Sequence, residues 1–164
     1  MATHLKNLSR YDADNISTGK DLSIGIVVSD WNQEVTFALL SAAEATLVKH
    51  GVQEGRIFVH HVPGSFELPI GAQFLIESLH PDAVILLGCV IQGETRHFDF
   101  ICQAVAQGCM DLGLKSNVPV IFGVLTTNTL EQAIDRAGGK HGNKGIEAAV
   151  TALQMIALKN GLRP

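Results

Sequence analysis

The sequence predicts a three-layer α/β/α domain, with a parallel four-stranded sheet between two layers of helices. Three observations predict it. Four short apolar runs rich in β-branched residues alternate with segments whose apolar residues recur every three or four positions. The third run, Ala83–Ile91, has no polar alternation, as expected of a central parallel strand covered on both faces. Polar and aromatic residues collect just after the runs, where open parallel sheets bind ligands.

The stretch from Met1 to Asp21 mixes Lys6, Arg10, Asp12, Asp14 and Lys20 with few apolar residues. It lacks the apolar core of a signal peptide and reads as a tail, or as an arm lying on a neighbour. A single domain is expected over 22–164, since no linker, internal repeat or low-complexity segment interrupts it. Ser23–Ser29 is the first strand. Asn32 is placed to cap the next helix, which carries Phe37, Leu40, Ala43 and Leu47 as its stripe and stops at Gly51. Arg56–Val62 is the second strand, closed by Pro63-Gly64.

The helix Glu67–Leu79 follows, with Pro69 tolerated in its first turn. Leu68, Ala72, Leu75 and Leu79 form one apolar stripe, and Ile70 and Phe74 form a second. A helix with two apolar faces touches two things, here its own sheet and another subunit. After the strand Ala83–Ile91 comes a polar loop, Gln92–Arg96, and a helix from about His97 to Leu112. Val118–Thr126 is the fourth strand. Thr129-Leu-Glu-Gln132 is a capping-box pattern that opens a further helix. The glycine-rich segment Gly138–Gly145 breaks it. A last helix carries Ile146, Ala149, Val150, Leu153, Ile156 and Ala157. This order corresponds to a flavodoxin-like arrangement.

Of the 164 residues, 46% are hydrophobic and only 17% charged, and the mean hydropathy is +0.23. That leaves apolar area to cover. The longest apolar run has nine residues against the roughly 20 that a membrane helix needs, so subunit interfaces are expected rather than a membrane. A net charge of −4 argues against a nucleic-acid partner, which calls for a basic face. Three cysteines without a CxxC pair and without a signal peptide point to free thiols in the cytoplasm. Cys102 and Cys109, seven apart on one helix face, are expected in the core.

The chemistry is expected at the four strand ends. Trp31 is the only tryptophan and offers a stacking plate for a flat heterocycle. Gly93, Glu94 and Thr95 precede a helix start, whose free N–H groups suit a phosphate. In that arrangement the Glu94 side chain has to point away and the loop acts through its main chain. His97, in the first turn, is a candidate proton shuttle. Glu67, at another helix start, is placed to accept hydrogen bonds from hydroxyls. Arg136, Lys140 and Lys144 crowd the glycine-rich break, where Arg136 is suited to clamp a phosphate. The phosphate-loop and dinucleotide glycine patterns are both absent. His60 and His61 point to opposite faces of a strand and no zinc-ligand spacing is present, so no metal is expected.

Four motifs occur together and in order: PGSFELP (63–69), GCVIQGETRHFDF (88–100), PVIFGVLT (119–126) and EQAIDRAGGKHGNKG (131–145). In this combination the chain resembles the lumazine synthase family, from about Leu22 to the last helix. The resemblance implies condensation of a ribitylaminopyrimidine amine with a dihydroxybutanone phosphate, the penultimate step of riboflavin biosynthesis, with no cofactor. It implies that Trp31 stacks on the pyrimidine and that Ser65, Phe66 and Glu67 bind the ribityl chain. Cys89, Val90 and Ile91 would read the ring largely through their main chain, and Gly93, Glu94 and Thr95 would hold phosphate. His97 would transfer protons. Phe122 and Arg136 would act across a subunit boundary, with Arg136 on the phosphate. Asn32, Lys144 and Arg96 are second-tier candidates.

The resemblance also implies homopentamers with sites between neighbours. The short run Gly138–Asn143 favours the sixty-subunit shell that many members form. Two departures from the family pattern stand out. Gln92 occupies a position that is often basic, and Arg96 one that is often small or Pro, as though one positive charge had moved along the loop. Trp31 replaces the more usual Phe, which predicts tighter binding of flat flavin-like products. Two other readings of the strand ends remain: a redox protein holding a flavin, and a non-catalytic carrier of the same fold.

Overall fold

A computed structural model of the chain describes residue 7 and residues 9–162. Residues 1–6 and 8 of the expected tail, and the chain end at 163–164, lie outside the described residues. Four strands form the central sheet: β1 (Ile24–Ser29), β2 (Ile57–Val62), β3 (Ala83–Ile91) and β4 (Val120–Thr127). All pair in parallel, in the order β2-β1-β3-β4. The chain therefore starts mid-sheet, runs to one edge and crosses back. The switch falls between β1 and β3, and ligands bind at such a switch point.

The helices are α1 (Gln33–Lys49), α2 (Leu68–Leu79), α3 (His97–Ser116), the short α4 (Leu130–Asp135) and α5 (Lys144–Gly161). Alternation along the strands divides the core in two. On one face Ile26, Val28, Ile85 and Leu87 pack against Leu39 of α1 and Leu153 of α5. On the other, Val27, Leu86 and Val124 meet Leu68 and Leu75 of α2 and Val105 of α3. α1 and α5 approach so closely that a Cβ on Gly145 would lie 2.0 Å from the Leu39 carbonyl oxygen. No helix among the described residues is long and apolar enough to cross a membrane.

Several local expectations are corrected. Asn32 sits at the start of α1 but in the left-handed region, with φ 63°, and makes no side-chain cap bond. Its Nδ2 instead donates to the Cys89 carbonyl oxygen at 3.0 Å, which ties the turn after β1 to the end of β3. The buried stripe of α1 is Val35, Thr36, Leu39, Ala43, Thr46 and Leu47. Phe37 is exposed and meets the His61 ring edge-on, and Leu79 of α2 is exposed as well. α3 runs one turn beyond Leu112 and ends at Asn117 in the left-handed region. β4 starts at Val120, two residues later than expected. At α4, Thr129 Oγ1 accepts from the Gln132 N–H as a capping box requires, but Gln132 Oε1 accepts from Asn128 rather than from Thr129. The glycine-rich break is itself structured, as an antiparallel hairpin of β5 (Ala137–Gly139) and β6 (Gly142–Asn143).

Cys89 and Cys109 are buried and Cys102 is half-buried, all three as free thiols. In the N-terminal stretch the Tyr11 hydroxyl pairs with His50 Nε2 at 2.9 Å, so these residues lie against their own chain.

Candidate active site

The carboxyl ends of β1, β2 and β3 open into a cavity of about 690 Å³. Each wall is positioned by its own strand. Past β1, Asp30 N–H donates to the Val62 carbonyl oxygen (2.8 Å) and Trp31 N–H to that of Pro63 (3.2 Å), which fastens the Trp31 turn to the end of β2. The Asp30 carboxylate contacts His61 Nδ1 at 2.8 Å on the same side. Trp31 is held at its backbone while its side chain stands 72% exposed over the cavity.

Past β2, Ser65–Glu67 form a 3-10 turn that leads into α2. Ser65 lines the cavity, while its Oγ is buried beside Gly88 and has no hydrogen-bond partner among the described residues. The hydroxyl reaches that position because residue 88 is glycine, where a Cβ would lie 2.7 Å from Ser65 Oγ. Glu67 Oε2 folds over Gly64 at the rim.

At the end of β3, alternation sends the Cys89 side chain into the α1/α5 core and leaves its main chain to the cavity. Burial raises the Cys89 thiol to about 11, so it stays protonated near neutral pH and is no nucleophile. Val90 and Ile91 complete that wall. The loop Gly93–Arg96 is exposed. Gln92 secures its base, with N–H donating to the Thr127 carbonyl oxygen (2.8 Å) and Nε2 to that of Gly93 (3.0 Å). No atom lies within 4 Å of where a Gly93 Cβ would sit, so the backbone there is open to approach. Arg96 is solvated, with Nε 3.8 Å from Asp99.

His97 opens α3 beneath this loop and lines the cavity, and its N–H donates to Thr95 Oγ1 at 3.4 Å. Its ring makes no hydrogen bond to any described residue and is free to meet a ligand. Phe100 and Ile101 also line the cavity. Sequence reasoning passed over both, although they follow His97 at three and four residues and so share its helix face.

The chain matches the family model described as 6,7-dimethyl-8-ribityllumazine synthase over residues 21–160. The chain belongs to that family. It is 55% identical to the 6,7-dimethyl-8-ribityllumazine synthase of Porphyromonas gingivalis, covering 97% of this chain and 99% of the relative. Identity to the enzyme of the same name from Cytophaga hutchinsonii is 57%, over 96% and 98% of the two chains. For that of Parabacteroides distasonis it is 53%, over 95% and 98%.

Of the candidate site residues, Trp31, Asn32, Ser65, Phe66, Glu67, Cys89, Val90, Ile91 and His97 line one cavity. Gly93, Glu94, Thr95, Arg96, Phe122, Arg136 and Lys144 do not. Phe122 lies mid-strand on β4, beside an apolar cavity of about 680 Å³ that Met110, Leu114, Met155, Leu158 and Leu162 leave open. Arg136 lines a third, cationic cavity of about 560 Å³ with Lys140, His141 and Lys144. It is not a solvated charge either. Its side chain is 13% exposed and pairs with Glu147 at 2.8 Å. The same carboxylate takes Lys144 Nζ at 3.2 Å, and Lys140 pairs with Asp135 at 2.8 Å. Glu147 was missed in the sequence, where its signal was a carboxylate three residues after Lys144 at a helix start. Among the described residues, no group of three or more His, Cys, Asp or Glu side chains is placed to hold a metal ion.

Proposed function

We propose that this chain condenses 5-amino-6-(D-ribitylamino)uracil with 3,4-dihydroxy-2-butanone 4-phosphate to 6,7-dimethyl-8-ribityllumazine, releasing phosphate and water. The observation that carries the reading is the convergence of three strand ends on one cavity. It joins an exposed indole face, an unpartnered buried hydroxyl and a free imidazole in a member of this family. The indole face stacks the pyrimidine, and Ser65 Oγ and Glu67 meet ribityl hydroxyls. The main chain at Cys89–Ile91 reads the ring edge.

The substrate amine attacks the ketone, and loss of water from the adduct leaves an imine. Each step moves a proton between nitrogen and oxygen, and His97 is positioned to carry it. Tautomerisation of the imine to an enamine supplies the electron pair that expels the phosphate towards the open backbone at Gly93–Thr95, where charge on the departing oxygens meets N–H groups. The ribitylamino nitrogen then closes the ring on the remaining carbonyl with loss of a second water. Holding amine and ketone together supplies much of the rate. That suits a site whose only free imidazole is His97 and whose thiol is locked in the neutral form.

Arg136 and Phe122 complete the site from a neighbouring copy, in a homopentamer built from domains 22–164. Their separation from the Trp31–His97 cavity within one chain supports this. So does the apolar surface at Phe74, 60% exposed, and at Met110, Leu114 and Leu162. The short hairpin β5–β6 carries the further proposal of a sixty-subunit shell in the cytoplasm.

The test is absorbance-monitored product formation with both substrates and a metal chelator. Wild type is expected to form the lumazine, and His97→Ala to form it at least about a hundredfold more slowly, the scale of a lost proton shuttle. No product from folded wild type would point to a carrier, and tightly held flavin with reversible reduction to a redox protein.

A further inference from the structure

The hairpin that carries the Arg136 environment is too small to hold itself. Its strands have three and two residues, and Gly138, Gly139 and Gly142 occupy three of its positions. Such ribbons need outside support. Even so, Arg136 is fixed in orientation. Nη1 donates to the His141 carbonyl oxygen at 3.0 Å, and Nη2 donates to Glu147 Oε2 at 3.1 Å. The main chain is tied as well, with Lys144 N–H donating to the Arg136 carbonyl oxygen (2.8 Å) and His141 N–H to that of Asp135 (2.9 Å).

Asn143, which is 7% exposed, pairs with Ala137 in the hairpin and stands in the chain between His141 and Lys144. Its Oδ1 accepts from Gly145 N–H at 2.8 Å and so caps α5, whose first turn bears Lys144 and Glu147. Its Nδ2 donates to the Ala38 carbonyl oxygen of α1 at 3.2 Å. The main-chain N–H and C=O of Asn143 both go to one side chain from the far end of the sequence. Ser9 Oγ accepts from the N–H and donates to the C=O, the latter at 2.9 Å. Asn7 Oδ1 in turn takes the Ser9 N–H at 2.9 Å. The two residues cover Gly142, which has φ +90°, so closely that no Cβ would fit there. A single hydroxyl therefore satisfies two groups of a buried hub.

We propose that Ser9 is a positioning residue for the anion-binding face presented by Arg136. The N-terminal segment clamps hairpin β5–β6 through Asn143. The clamp sets how well the His141 carbonyl and Glu147 aim the guanidinium, and hence the affinity for the phosphate-bearing substrate. A guanidinium grips phosphate through two parallel N–H bonds, so its orientation matters as much as its charge. The inference rests on the reading of Arg136 as a phosphate ligand.

The experiment measures KM for each substrate and the inhibition constant of inorganic phosphate in the assembled enzyme. It compares wild type, Ser9→Ala, Ser9→Thr, a chain starting at Arg10 after an initiator Met, and Arg136→Ala. Ser9→Ala and the shortened chain are expected to raise the phosphate-substrate KM and the phosphate inhibition constant together, by about three- to tenfold, the scale of one lost hydrogen bond. The pyrimidine KM and kcat should stay within about twofold of wild type, because the cavity wall is untouched. Ser9→Thr, which keeps the hydroxyl, should behave as wild type. Unchanged phosphate parameters in Ser9→Ala while Arg136→Ala raises them would overturn the clamp and leave the phosphate reading standing. Equal losses for both substrates would also overturn it, as the mark of a merely structural bond. If Arg136→Ala changes neither phosphate parameter, the phosphate reading fails and the clamp with it.

Discussion

Trp31 combines a pinned backbone with a free side chain, which is what a stacking plate requires. Because it is the only tryptophan, its fluorescence reports on the cavity without interference. Riboflavin at high micromolar concentration is expected to quench it, since a flavin ring covers the indole face; unchanged emission would count against stacking at this position. The thiols give a second check. Burial raises Cys89 and Cys109 to about 11. Cys102 is raised too, by burial and by the nearby Asp99 carboxylate, but is half-buried. Cys89 is therefore held as the neutral thiol at pH 8. An aromatic disulfide reagent should therefore label Cys102 first and reach the other two only on unfolding. Rates should rise with pH up to the raised values, because only the deprotonated form reacts. Rapid labelling of Cys89 in folded protein would contradict its placement.

Close approaches between elements fix the relative positions of the site walls. Gly145 lets the first turn of α5 lie against the main chain of α1 at Leu39. Gly145→Ala puts a methyl group into a carbonyl that has little room to move. It is expected to destabilise by about 3 kcal/mol, at the upper end of overpacking costs, with a lower midpoint in chemical denaturation. It should also loosen Lys144 and Glu147. Gly88→Ala tests a different contact. Its Cβ would meet Ser65 Oγ at 2.7 Å and Leu68 Cδ1 at 2.8 Å. Only side chains stand in the way, so a smaller loss of about 1–2 kcal/mol is expected. The displaced Ser65 should raise the KM for the pyrimidine more than that for the phosphate substrate. Equal effects on the two would mean that Ser65 does not face the ribityl chain.

At the scale of the whole molecule the chain looks unfinished. β4 is an open edge beside an apolar cavity, the second face of α2 exposes Ile70 and Phe74, and the cationic cavity at Arg136 is separate from that at His97. The proposed ring, in which each site would draw on two copies, accounts for all three. Sedimentation should show a species of at least about five times the 17.6 kDa chain mass. Leu114→Glu with Leu158→Glu, which charges the apolar cavity, should reduce assembly and turnover in parallel. Full turnover by a monomer would exclude the shared site.

By itself the sequence determined the layer order, the parallel sheet, the limits of the four central strands to within two residues, and the cavity walls at Trp31, Ser65–Glu67, Cys89–Ile91 and His97. Those features follow from local periodicity and from the rule that ligands sit past strand ends, both of which can be read along a chain. The tertiary structure decided what depends on partners distant in sequence. Asn32 abandons the cap its residue type favours because the Cys89 carbonyl lies within reach. Phe37 leaves the core because the sheet faces the other side of α1. Arg136 gives up water for Glu147 and the His141 carbonyl. Ser9 meets Asn143 across most of the chain. A polar side chain takes the nearest geometry that satisfies its hydrogen bonds, and folding alone brings those partners together.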